Sequence, residues 1–118
     1  MSKLADVTIH GTSRSYSFEV YSTGSEFDAV GAVYVFLKSV VLPNGKVIYE
    51  EILYIGQTSS LKDRVPNHEI WLYVSRNGGN CIGIHRDDNE KSRLAIEADL
   101  VAGNQRAATV SEPILSHS

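Results

Sequence analysis

Apolar and polar residues alternate through the first part of the chain. "DVTIH" (Asp6 to His10) places Val7 and Ile9 at every second position, and "SYSFEVY" (Ser15 to Tyr21) does the same with Tyr16, Phe18 and Val20. A period of two marks a half-buried strand, and the Gly-Thr-Ser cluster between the runs supplies turn chemistry, so the pair predicts a β-hairpin. "STGSEFDA" is polar and contains glycine, which predicts a loop. A second hairpin is predicted where "GAVYVFLKSVV" and "KVIYEEILYIG" flank a Pro-Asn-Gly turn. Tyr34 and Tyr54 then lie on adjacent antiparallel strands, in a register that the pattern alone leaves open.

Beyond Gly56 the period changes. "TSSLKDRV" offers capping residues ahead of a short helix that Pro66 should end or kink, and a further helix is expected from about 67 to 76, stopped by "NGGN". "CIGIH" is short, apolar and β-branched, which predicts a buried strand. A last helix is expected from Asp88 or Asn89 to about Val101, with Gly103 as its stop. "NQRAATVSEPILSHS" shows no clear period and reads as a tail with partial disorder. The class that follows is α+β, with two antiparallel hairpins, a further buried strand and three helices.

Composition narrows the field. The 118 residues fit one domain, and 42% hydrophobic with 21% charged residues is the balance of a folded globule. No apolar run approaches the roughly 18 residues that span a bilayer, and the start "MSKLADVTIHG" has no apolar signal core, so the expectation is a cytoplasmic protein without membrane contact. Cys81 is the single cysteine, which excludes an internal disulfide and a cysteine-based zinc site; it is expected to be buried beside Ile82. The net charge of -3 counts against a dedicated nucleic-acid binder but leaves room for a local basic patch at Lys62, Arg64 and Arg76.

Candidate chemistry gathers on a few residues. Glu97, on the last helix between Leu94 and Val101, sits at the edge of an apolar stripe, where a carboxylate is costly unless paired or metal-bound. Its ordinary partner would be Arg93, four residues earlier. Arg64 has the planar fork that holds two phosphate oxygens at once, with Asp63 or Glu69 as ordinary ion-pair partners. Phosphodiester hydrolysis needs an activated water, charge neutralisation on the phosphoryl oxygens and a proton for the leaving group. Tyrosine, arginine, histidine and a metal-binding carboxylate supply such parts.

"AVY" (Ala32 to Tyr34), "YIG" (Tyr54 to Gly56), Thr58, Arg64, His68 and Glu97 resemble, in that order, the signature of the GIY-YIG nuclease superfamily. The resemblance spans roughly Gly31 to Val101. Ala32 stands where the family's first glycine is usual, and no asparagine occupies the family's place beyond the last helix. The resemblance implies an α+β fold with a central antiparallel β-sheet flanked by helices and an added N-terminal β-hairpin, and it divides the chain into an N-terminal hairpin and loop (1–28), a nuclease-like domain with a sandwich of sheet and helices (29–109) and a tail (110–118). It implies a metal-dependent endonuclease acting on DNA by a one-metal mechanism, with catalytic Tyr34, Tyr54, Arg64, His68 and Glu97. Glu97 would be the ligand for Mg2+ or Mn2+. One tyrosine would act as general base or orienter, which requires a nearby cation to lower its ordinary pKa near 10. His68 would relay a proton or hydrogen-bond a tyrosine. Gly56 would allow close backbone approach, and Thr58, assigned to substrate positioning, also reads as a helix cap. A chain of this length leaves DNA specificity to a protein partner, a homodimer or a structured substrate. The alternative reading keeps the fold as a nucleic-acid or protein binding module without catalysis.

Overall fold

The computed structural model describes residues 3–66, 68–104 and 108–109. Strand β1 (Ala5–His10) and strand β2 (Ser15–Ser22) form the first hairpin, with Val7 opposite Phe18 and Ile9 opposite Tyr16. Strands β3 (Ala32–Val41) and β4 (Val47–Thr58) form the second. Its turn closes through Leu42 and Lys46, with Gly45 at φ +85°, a conformation that glycine adopts without a Cβ penalty. Strand β5 (Cys81–Arg86) lies between β2 and β3, and the short β6 (Ala108–Thr109) runs parallel to β4. The strand order is β1-β2-β5-β3-β4-β6. With helices α1 (Leu61–Arg64), α2 (Trp71–Arg76) and α3 (Glu90–Gly103), the described residues form an α+β fold around a mostly antiparallel six-stranded sheet.

Both faces of the sheet are covered, which is why β3 reads as a nearly unbroken apolar run. Val33, Val35 and Leu37 join Phe18, Ile52 and Ile55 beneath Ile96 and Leu100 of α3. Ala32, Tyr34 and Phe36 face the other way, into a cluster with Tyr54, Leu61, Val65, Ile70 and Val74 around α1 and α2. Between Phe36 and Leu37 the register slips against β4, because Leu37 pairs with Ile52 while Phe36 pairs with Tyr54. The extra residue, Leu53, forms a β-bulge, and it lets Leu53 and Tyr54, though adjacent in sequence, enter the same cluster.

The N-terminal hairpin extends the same sheet through β2 and β5, and it is fastened to α3 at several points. The Asp99 carboxylate accepts hydrogen bonds from the Thr12, Ser13 and Arg14 amides and from the Thr12 and Tyr16 hydroxyls. The Asn104 amide donates to the carbonyl of His10.

Two predicted boundaries change. Helix α2 begins at Trp71 and not near 67, because His68 to Ile70 form a turn that carries the His68 ring inward. Helix α3 continues to Gly103, whose missing side chain admits the backbone of Gly11; a Cβ there would lie 2.7 Å from the Gly11 carbonyl carbon. Strand β6 falls in a stretch whose sequence predicts no element, and the expected tail 110–118 lies outside the described residues. Cys81 is buried in β5 beside Ile82, as its isolation predicts. Among the described residues no helix is long and apolar enough to cross a membrane.

Candidate active site

Gly56 pairs with Tyr34 across the hairpin, and this pairing answers what a glycine does after the tyrosine and isoleucine of "YIG". A Cβ on Gly56 would stand 2.8 Å from both Cζ and Oη of Tyr34 and 2.9 Å from Cε1 of Tyr54. The two phenols therefore occupy the space that any other residue at 56 would fill. Their rings stack at a centroid separation of 6.1 Å.

His68 completes an aromatic cluster, its ring 4.8 Å from Tyr54 and 5.6 Å from Tyr34 and Phe36. Its two nitrogens are both engaged. Nδ1 accepts from the amide of Ile70, so in the neutral ring the proton resides on Nε2, which donates to the Tyr34 hydroxyl oxygen at 2.7 Å. Burial, followed by the neighbouring charge of Arg64, lowers the His68 pKa to about 4, and the neutral ring is the form present at pH 7. This tautomer makes His68 a donor toward Tyr34, which leaves the tyrosine O–H free to donate elsewhere.

Burial also dominates the phenols. Tyr34 is pushed up to about 12 against the opposing charge of Arg64, with Glu97 adding to the rise. Tyr54 is raised further, by burial and then by Tyr34. The Tyr54 hydroxyl oxygen is buried without a hydrogen-bond partner.

Arg64 lies at the rim. Its Nη1 and Nη2 each donate at 3.1 Å to a different oxygen of Glu69, a two-toothed ion pair. The ordinary pairing with Glu69 is thus formed, while the charge of Arg64 still reaches both phenols. Glu97 stands otherwise. Its Oε2 is buried with no partner, and desolvation raises its pKa. The alternative ion pair with Arg93 is not made. Arg93 is itself buried and donates from Nε to Oε1 of Gln57 and from Nη1 to the carbonyl of Asp87, each at 3.0 Å. Its guanidinium lies over Gly31, where a Cβ would meet Nη1 at 2.5 Å. The glycine at the start of "GAVY" makes room for that guanidinium and for the Asp87 carbonyl, 2.7 Å from the same position, a link sequence reading missed because it joins residues distant along the chain.

The structure thus brings Tyr34, Tyr54 and His68 into contact, sets Arg64 beside them and leaves Glu97 within electrostatic reach of Tyr34 but without a hydrogen bond to any of them. Thr58 is not the helix cap. Ser60 holds that position, and the Thr58 hydroxyl accepts from the Ser60 amide at 3.1 Å and donates to the Ser60 carbonyl, shaping the exit from β4. The carbonyls of Asp28 and Val30 receive the first amides of α1 instead. No group of three or more histidine, cysteine or acidic side chains converges among the described residues. A hydrated cation that takes one carboxylate needs no such group, and the unpartnered Glu97 oxygen fits that demand. A separate open cleft of about 840 Å³, lined by residues 23–29 with Lys62, Val65, Pro66 and Trp71, contains none of these five residues.

Comparison with protein-family models, with curated proteins and with solved structures finds no match for this chain.

Proposed function

We propose that this chain is a metal-dependent endonuclease of the GIY-YIG type, with that family's sandwich of sheet and helices, and that it hydrolyses DNA phosphodiester bonds. The observation that carries the reading is the convergence of two buried phenols, a neutral imidazole and a rim arginine near a carboxylate oxygen left buried and unpaired. A packing cluster has no use for that oxygen, since an unsatisfied buried polar atom costs about 1–3 kcal/mol.

Each residue has a part. Arg64 seats the phosphoryl oxygens with its fork and neutralises their charge. His68 holds the Tyr34 oxygen through Nε2–H, and this bond both aims the Tyr34 hydroxyl and stabilises negative charge on its oxygen. Tyr34 orients the attacking water; as a phenol pushed up to about 12 it keeps its own proton at pH 7. Tyr54, with its unpartnered hydroxyl, is placed to donate to a substrate or water oxygen. Glu97 would hold Mg2+ or Mn2+, which when bound supplies positive charge for the phosphoryl oxygens and favours ionisation of nearby acids. With a net charge of -3, DNA contact falls to the local basic residues, and selectivity to a protein partner or a second copy of the chain.

One observation favours the alternative of a binding module without catalysis: the Arg64 fork is already filled by Glu69. Cleavage of duplex, nicked, branched and single-stranded DNA with magnesium or manganese, comparing the native protein with Glu97→Ala, separates the two readings. Metal-dependent cutting that the substitution abolishes is the expected result. DNA binding with no cutting of any substrate would instead select the binding module.

A further inference from the structure

Arg64 and Glu69 meet in the geometry by which a guanidinium grips a phosphate: two nitrogens, two oxygens, both contacts at 3.1 Å. The Glu69 side chain is 71% exposed, so a ligand can reach the pair from solvent. Besides Arg64, the Glu69 carboxylate has only its own backbone amide and Nδ1 of His68, 4.0 Å away, and that nitrogen already accepts from the Ile70 amide. The carboxylate sits on the turn His68 to Ile70, between α1 and α2, and reaches back to Arg64 from the solvent side.

We propose that Glu69 is an internal competitor for the anion seat of Arg64, occupying the fork until a phosphodiester displaces it. The inference rests on the reading that Arg64 seats a phosphate. Its consequence is selectivity. A ligand that offers only a single weak anionic contact does not repay the lost ion pair, whereas a phosphate held by several neighbouring contacts does. Displaced, Glu69 swings into water at little cost because it is already mostly solvated. The substrate class so favoured is a polyanionic strand over an isolated phosphate.

The test is a double-mutant cycle on binding, measured by fluorescence anisotropy of a labelled DNA duplex in EDTA so that no cleavage occurs. The variants are Glu69→Gln, Arg64→Met and the two combined. Glu69→Gln should tighten binding by about two- to fivefold, the range an exposed pair allows. The gain should vanish in the Arg64→Met background, which a general loss of negative charge would not produce. If Arg64→Met weakens binding but Glu69→Gln brings no gain, or a loss, the competitor role is overturned while the phosphate seat stands. A gain that persists without Arg64 also overturns it. If Arg64→Met leaves binding unchanged, Arg64 seats no phosphate and the proposal falls together with that part of the function.

Discussion

Helix α3 carries two carboxylates two residues apart, and they live in opposite circumstances. Asp99 accepts five hydrogen bonds from Thr12, Ser13, Arg14 and Tyr16, and these hold its carboxyl well below the usual range. Glu97, turned roughly 200° about the helix axis, keeps one oxygen buried with no donor, and desolvation moves its pKa upward. The first is a closed account of donors and acceptors that fixes a hairpin to a helix. The second is open, and an open site that a fold tolerates is where an outside group is expected.

Exchanging the two amounts to the sharpest prediction. Glu97→Gln should lower metal-dependent cleavage on the order of 10²- to 10³-fold while leaving the thermal midpoint unchanged or raised, because a neutral amide is cheaper to bury than a carboxylate. Asp99→Asn should do the reverse: a lower midpoint, since an amide cannot accept all five donors, with cleavage retained below the transition. Calorimetry and a cleavage assay on both variants decide it. If Glu97→Gln unfolds as readily as Asp99→Asn, the distinction between the two carboxylates collapses.

The open region should also be visible in acid. His68 in the folded chain has a pKa lowered to about 4 by burial and then by Arg64, with Glu69 opposing, while an unfolded histidine titrates near 6.5. Between these values the unfolded state binds more protons, so stability rises with pH across the window and is lost as pH falls through it. The expected loss is on the order of 2–3 kcal/mol from pH 6.5 to 4. Asp99, whose pKa is depressed, contributes stability that disappears only at lower pH, below the unfolded carboxylate value. Urea denaturation at several pH values should show a slope in the upper window that His68→Gln flattens. An unchanged slope in that variant would assign acid sensitivity to another group.

Gly56 tests the crowding that makes the open region possible. Gly56→Ala places a methyl group within 2.9 Å of both phenols, and overpacking of this kind costs about 1–3 kcal/mol. Gly24→Ala, where nothing lies within 4 Å, is the control and should be nearly neutral. Equal stabilities for the two variants would mean that the tyrosines move aside easily and that their positions are not fixed by the backbone.

Much of the sheet could be read from sequence because its signals are local. The Pro-Asn-Gly turn and the alternation in "SYSFEVY" name their strands without help, and the isolated apolar run "CIGIH" does so for β5. The Leu53 bulge could not be read, since no turn residue marks it and it exists only relative to β3. The residues of the candidate site are marked in the sequence by type and order, their partners less so. Helical spacing offers Arg93 as an alternative ion-pair partner for Glu97, yet Arg93 turns to Gln57 and the Asp87 carbonyl because the gap above Gly31 admits its guanidinium. That gap lies between Gly31, just ahead of β3, and the Asp87 carbonyl, just after β5, and helical spacing holds no record of it. The sequence offers Glu69 as a partner of Arg64, but only the structure gives the two-toothed geometry on which the competition with phosphate rests.

Thr58 offers the smallest effect and a fair check on how far satisfied groups can be separated from functional ones. Its hydroxyl both accepts from the Ser60 amide and donates to the Ser60 carbonyl, so its one proton and one of its two lone pairs are committed within the turn that joins β4 to α1. By the reasoning applied to Asp99, such a group shapes the chain and takes no part in substrate contact. Thr58→Val should therefore lose about 0.5–1.5 kcal/mol of stability, keep the methyl packing and leave the KM for DNA unchanged. A raised KM with undiminished stability would place Thr58 among the groups that touch the strand, and would show that a hydroxyl satisfied in the free protein can still be recruited by a ligand.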